Sequence, residues 1–152
     1  MVVMRVGGLL IWFSVLAYIL YPPAVRWVSI SIPLLFRWLG VAGGITAALL
    51  LVWMFASLGT NITDSITIRS KHKLVTNGPY RWIRHPLYTF GALLFLALSL
   101  VTGIWLIPFL GIPTYAILVH RTGLEEQMLQ ERFGEQYQRY SEQTGRFFPR
   151  LG

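Results

Sequence analysis

Between Leu34 and Leu58 the chain carries a single charged residue, Arg37, close to the start of the stretch. About 20 apolar residues cross a bilayer as a helix, so this segment is long enough to span one. Backbone groups in hydrocarbon must be bonded within the segment, which selects the helix. Three more stretches follow the same logic: 2–21, 87–101 and 104–119. The first is apolar apart from Arg5 and Ser14 and ends at Pro22-Pro23, which stop a helix. Bulky residues stand before those prolines where a leader peptide would need small ones, so the segment reads as a span. The last two form a hairpin across Thr102-Gly103. At about 1.5 Å per residue the fourth rises only roughly 24 Å, against a hydrocarbon core of roughly 30 Å. It also carries Pro108, Gly111 and Pro113, which bend a membrane helix and free carbonyls that protein must then satisfy. The polar segments beside this hairpin therefore dip toward the membrane boundary, or the bilayer thins there.

Composition agrees. Hydrophobic residues make up 55% and charged residues 12%, where a soluble domain has about 25% charged. Cysteine is absent, which excludes disulfide and thiolate chemistry. The formal charge of +7 reads as cytoplasmic loops and contact with anionic headgroups, and not as nucleic-acid binding. Its distribution sets the orientation. Residues 59–85 carry five Lys/Arg and the stretch after His120 five more, whereas 24–33 and 102–103 carry one, Arg26. Four spans with both termini cytosolic place the rich segments on one side. The expected fold is all-α: a polytopic membrane protein, a single domain of four transmembrane helices with a cytosolic amphipathic helical tail. Gly40 and Gly44, followed by Ala47 and Ala48, let a second helix approach the second span, by internal packing or in a dimer. Oligomeric state stays open.

Two polar stretches flank the hairpin. Residues 59–83 contain Asn61, Asp64, Arg69, Lys71, His72 and Lys73; 63–68 is rich in Thr and Ile and reads as extended chain, and Asn77-Gly78-Pro79 is a turn signal. Residues 121–151 hold five of the six acidic residues, with Leu124, Met128, Phe133, Tyr137 and Tyr140 at near-helical spacing and Phe133-Gly134 as a kink. This predicts an amphipathic helical tail on the protein or membrane surface. The topology gathers His72, His85, His120, Tyr80, Tyr88, Arg121, Glu125 and Glu126 at the cytosolic face. Each has a plainer reading. Arg84 fits a headgroup anchor as well as a site role, His85 before Pro86 a helix cap, and Tyr80, Trp82 and Tyr88 an aromatic belt. Arg121 and Glu125 stand four apart and suit a surface ion pair. Glu126 lies about 100° round the helix from Glu125 and faces elsewhere. No metal-ligand spacing is present, so no metal site is expected.

The two stretches GPYRWIRHPLY and RTGLEEQMLQERFGEQYQRY, in that order around a short hairpin, resemble the integral-membrane methyltransferases. These include the isoprenylcysteine carboxyl methyltransferases and the phospholipid N-methyltransferases. The likeness covers about 59–151; the first two spans carry no matching motif. It implies S-adenosylmethionine bound at the cytosolic membrane boundary by segments 59–91 and 120–151. Carried over by position, His72, Lys73, Leu74 and Val75 would run along the adenosine. Tyr80 and His85-Pro86-Leu87-Tyr88 would close around the cofactor, Glu125 would take its ammonium, and Arg121 would bind the acceptor. Arg121 and Glu125 are the implied catalytic pair. Gly123-Leu124 departs from the acidic residues found there in some carboxyl methyltransferases.

The chemistry of the residues fits that cofactor. A His or Tyr can hold its carboxylate, a Glu its ammonium, and aromatic rings its sulfonium. Methyl transfer from a sulfonium needs alignment and exclusion of water more than acid–base work. The expected function is methyl transfer to a lipophilic acceptor, an isoprenylcysteine-like carboxylate or a phospholipid amine, with membrane lipids as surroundings. Two rival readings remain open. One is a sterol-type membrane reductase using a reduced nicotinamide dinucleotide. The other is a non-enzymatic assembly protein built on the Gly40–Gly44 face, which leaves the polar cluster without a task.

Overall fold

Helix α1 (Val2–Leu20) stops one residue short of the Pro22-Pro23 pair, as proline's missing N–H requires. It is followed by α2 (Leu34–Leu58), α3 (Pro86–Thr102), α4 (Leu106–Phe133) and α5 (Glu135–Gln143). This computed structural model describes residues 2–59 and 74–150, with side chains from residue 6. Among these residues the fold is all-α, with two isolated bridges and no strand. The extended chain predicted at 63–68 lies outside the described residues.

The helices form a row, with α2 against α3, α3 against α4, and α4 against α1. Helices α2 and α3 approach closely at Gly40: a Cβ there would sit 2.9 Å from Leu100 Cβ and 3.0 Å from the Ala97 carbonyl oxygen. Any side chain at 40 would push α3 away, and Gly44 likewise faces Ala97. The small residues of α2 thus serve internal packing. Polar side chains inside the apolar helices satisfy themselves locally. The hydroxyls of Thr46, Ser57, Ser99, Thr102 and Thr114 each donate to the carbonyl four residues back, which removes the cost of leaving them unpaired in an apolar setting.

At one end of the row the α1–α2 connection caps the α3–α4 reversal. Ile30 N–H donates to the Gly103 carbonyl at 2.8 Å and Trp105 N–H to the Val28 carbonyl at 2.9 Å. Val25 and Val28 bury themselves with Ile11, Ile104 and Ile107. The connection therefore does more than lie in the interface, although Trp27 remains 78% exposed. At the other end Met54, Ile83 and Phe90 form a second cluster beneath the polar segment that enters α3.

Two boundaries differ from the sequence reading. The fourth apolar stretch begins its helix at Leu106, because Ile104 is held in a bridge with Ser29. It then continues without a break into the polar stretch, to Phe133. The tail breaks at Phe133-Gly134, where the sequence places a kink, but its helix stops well short of 151. The chain turns at Gly134 (φ 51°), α5 runs to Gln143, and 144–150 leaves the helical conformation. Gly145 lies in the turn that follows, where a Cβ would collide with the Phe148 carbonyl oxygen, so only glycine fits there.

Helix α2 is long and apolar enough to cross a membrane; α3 and residues 6–20 of α1 are shorter apolar helices. Large apolar side chains cover the outside of α1 and α2, among them Trp12, Phe13, Leu35, Leu49 and Val52. A continuous apolar surface of this kind calls for a lipid or protein surround.

Candidate active site

The site is built where three chain segments meet. The Asn77-Gly78-Pro79 signal produces a 3-10 turn, Gly78–Arg81. The next residues run extended beside the chain that follows α5. Arg84 N–H donates to the Gly145 carbonyl (2.9 Å), His85 N–H to the Arg146 carbonyl (3.1 Å), and Gly145 N–H to the Trp82 carbonyl (3.0 Å). Pro86 then opens α3, where its missing N–H costs nothing. Proline also keeps His85 out of the helix, at φ −122°, ψ 61°. Tyr88 and Thr89 follow within one turn, and α4 brings Arg121, Glu125 and Glu126 from the opposite side.

His85 is buried between two carboxylates. Its Nδ1 lies 3.7 Å from Glu125 Oε2 and its Nε2 3.2 Å from Glu126 Oε1. The Tyr88 hydroxyl donates to Glu125 Oε1 at 2.9 Å. Glu126 is further held by Arg84 Nε at 3.0 Å and Arg146 at 3.1 Å. Arg84 also donates to the carbonyls of Ser141 (2.7 Å) and Thr144. The rings of Tyr88 and Phe147 stand 5.6 and 5.8 Å from the imidazole. Glu126 does not face away, as the 100° offset predicts. The two ring nitrogens of one imidazole point in different directions, so adjacent glutamates on one helix reach both. Arg84, for its part, turns inward to Glu126 and to the carbonyls at the end of α5.

Burial holds the His85 imidazole below its ordinary 6.5, outweighing the attraction of Glu126 and Glu125 for the cation. Burial pushes Glu126 up, but Arg84, Arg146 and the His85 hydrogen bond together hold it below its ordinary 4.5. At neutral pH the imidazole is therefore neutral and Glu126 ionised. A neutral imidazole has one N–H, so one of its nitrogens offers a lone pair. The unfolded chain binds the His85 proton more readily than the folded one, so this contribution to stability is present above about 6.5 and lost as pH falls below it. Glu126 acts in the same direction below 4.5. The melting temperature in detergent is expected to fall between pH 7.5 and 5.5, and to fall less in His85→Asn. An equally steep fall in that variant would place the titration elsewhere.

Of the residues predicted from the sequence, His85, Tyr88 and Glu125 come together directly. Arg121 lies one turn before Glu125, close enough for its charge to act on the Tyr88 phenol. It makes no ion pair with Glu125, so the simple surface pair is not formed. Pro86 is buried at the helix start, whereas Leu87 is 48% exposed. The Tyr80 ring packs against the Met54–Ile83–Phe90 cluster, and its carbonyl accepts from the Tyr140 hydroxyl at 2.7 Å. Burial pushes the Tyr80 phenol up to about 12. Leu74 and Val75 are half-buried in irregular chain before the turn, and His120 is exposed on α4. His72 and Lys73 lie outside the described residues. Arg146 and Phe147 escaped the sequence reading. Their signal was Gly145, which ends the tail's helical pattern.

Beside this polar cluster is an apolar cavity of about 720 Å³. Leu50 of α2, Phe90, Leu93 and Leu96 of α3, and Tyr115 and Val119 of α4 line it. Thr89, Phe147 and Phe148 close it toward the polar side. The Thr89 hydroxyl donates to the Phe147 carbonyl at 2.7 Å, tying the last segment to α3.

A model of the isoprenylcysteine carboxyl methyltransferase (ICMT) family matches residues 38–131. A curated relative, protein-S-isoprenylcysteine O-methyltransferase of Tribolium castaneum, is 40% identical over 85 residues, covering 53% of this chain and 29% of the relative. A solved structure of a eukaryotic intramembrane Ras methyltransferase, ICMT, aligns with a TM-score of 0.68 at 24% identity, over 97% of this chain and 52% of that one. The chain thus spans about three tenths of the relative's length and about half of the solved chain's.

Proposed function

We propose, from the premise that this chain belongs to the isoprenylcysteine carboxyl methyltransferase family, that it transfers a methyl group from S-adenosylmethionine to the carboxylate of a prenylated acceptor at the membrane boundary. The observation that carries this reading is the junction of the His85–Tyr88–Glu125 cluster with the apolar cavity. One chain offers both a polar side-chain cluster for a charged donor and an apolar cavity for a lipid chain. The carboxylate as acceptor, in preference to a phospholipid amine, draws on the O-methyl transfer in the relative's name. The family match favours methyl transfer over the reductase reading.

The residues present suit the cofactor. S-adenosylmethionine, when bound, supplies a methyl group activated by its positive sulfur. Glu125 is 39% exposed and gives only one oxygen to Tyr88, so its second oxygen can receive an ammonium. Tyr88 fixes that carboxylate in place. His85, neutral and buried, presents a hydrogen-bonding edge beside it. Leu74 and Val75, with His72 and Lys73 before them, supply backbone groups for an adenine edge, while Tyr80 and Pro86-Leu87 shape the pocket's wall. Arg121 holds the acceptor's carboxylate in its ionised, nucleophilic form. The apolar chain lies in the cavity among Leu93, Leu96 and Tyr115. In this arrangement α1 to α4 provide four spans, and both termini and the site lie on the cytosolic side.

Calorimetry of the purified protein with S-adenosylhomocysteine, and separately with reduced nicotinamide dinucleotide, tests the cofactor. Binding of the first alone is expected, with Glu125→Ala weakening it about ten- to a hundredfold, as loss of a charged hydrogen-bond partner does. Undiminished binding by Glu125→Ala would remove that residue from the ammonium site. Methylation of phosphatidylethanolamine in place of prenylated N-acetylcysteine would overturn the carboxylate acceptor.

A further inference from the structure

Phe147 touches both halves of the site. Its ring stands 5.8 Å from the His85 ring, tilted by 40°, and it also lines the apolar cavity with Leu93 and Tyr115. Its position is firmly held. Thr89 binds its carbonyl at 2.7 Å, and two residues earlier Gly145 is bridged to Ile83. The tight turn from Gly145 to Phe148 excludes even a Cβ at 145. An aromatic ring on so constrained a backbone is a rigid wall. On the methyltransferase reading above, an acceptor whose chain fills the cavity passes its polar end by this ring to reach Glu125 and His85.

We propose that Phe147 sets acceptor specificity by limiting the bulk allowed between the apolar chain and the methyl-accepting carboxylate. A slender link clears the ring, and a branch beside the carboxylate meets it. Apolar walls of this kind discriminate by about 10- to 200-fold per small group.

Two acids with the same farnesyl chain and the same spacing from sulfur to carboxylate make the test: 3-(farnesylthio)propanoic acid, which is unbranched, and N-acetyl-S-farnesylcysteine, which carries an acetamido branch. The full chain in detergent is compared with Phe147→Ala, Phe147→Leu and Phe147→Trp. Three quantities are measured: the kcat/KM ratio of the two acids, the affinity for S-adenosylhomocysteine, and the displacement of a fluorescent long-chain fatty acid by each acid. Phe147→Ala is expected to shift the ratio toward the branched acid by about tenfold or more, mainly through KM. Phe147→Leu should shift it less and Phe147→Trp the other way, with S-adenosylhomocysteine affinity within about twofold of wild type. A ratio that stays fixed in all three variants, even if both rates fall, would show that the ring only packs and would overturn the proposal. If wild type methylates neither acid, the methyltransferase reading fails, and the displacement ratio still decides the role of Phe147 by shifting or staying fixed.

Discussion

Glu126→Ala is expected to destabilise the protein by about 3 kcal/mol and to release the chain that follows α5. Glu126 joins three segments through one carboxylate. Its Oε1 takes Arg84 and His85, and its Oε2 takes Arg146. Removal leaves two guanidinium groups facing a buried imidazole with no anion between them. Breaking a buried pair by deleting one partner costs about 3–5 kcal/mol. The low end applies because Arg146 is 40% exposed and water can reach it. Thermal unfolding in detergent measures the loss. Limited trypsin digestion at Arg146 and Arg150 measures the release, since Arg146 is otherwise pinned by its carboxylate and by the His85 backbone bond. Glu126→Gln should lie between wild type and alanine, keeping the hydrogen bonds and losing the charge. Glu125→Ala should melt near wild type, since Glu125 is more exposed and accepts only from Tyr88 at hydrogen-bond distance. Equal melting of Glu126→Ala and wild type would show that the cluster is not what holds the segment.

Arg121→Ala is expected to lower methyl transfer by a hundredfold or more while leaving S-adenosylhomocysteine affinity within a few-fold of wild type. Arg121 differs from Arg84 and Arg146, which both pair with Glu126. It is half-buried beside Tyr88, yet it forms no ion pair among the described residues, not even with Glu125 one turn away. A guanidinium in that setting is available to an incoming carboxylate, which it grips through two parallel hydrogen bonds. Removing one such preorganised group from a site that handles charge costs about 10²- to 10³-fold in turnover. Arg121→Lys should recover only part, because an ammonium lacks the planar fork. Turnover of a prenylated acid and S-adenosylhomocysteine affinity, measured on the same preparations, separate the outcomes. Equal loss of both would mean that Arg121 only positions Glu125, and unchanged turnover would remove it from the site.

Local chemistry was readable along the chain. Apolar length located α2 at its observed bounds, Leu34–Leu58, and prolines ended α1 and opened α3. Glycine marked the reversal at Gly103 and the turn at Gly134, both with positive φ. The hairpin of two apolar stretches was enough to bring His85 and Tyr88 toward Glu125, because a tight reversal leaves the far ends of two helices side by side. These features depend on a residue and its near neighbours, or on one short loop, so the amino-acid sequence determines them without help.

Partner choice across long separations was decided only by the tertiary structure. Helical periodicity sends Glu126 away from Glu125, yet both reach His85, because the imidazole sits against α4 with its two nitrogens toward different residues. The chain after α5 leaves the predicted helix at Thr144, and no local rule says that it then lies along Ile83–His85. That pairing spans some 60 residues and forms because α5 folds back and Arg84 finds the carbonyls at the end of that helix. The cavity is likewise a property of three helices and the final segment at once. Periodicity, capping and turn chemistry act over a few residues, whereas a buried charge network and a cavity exist only after distant segments have been packed together.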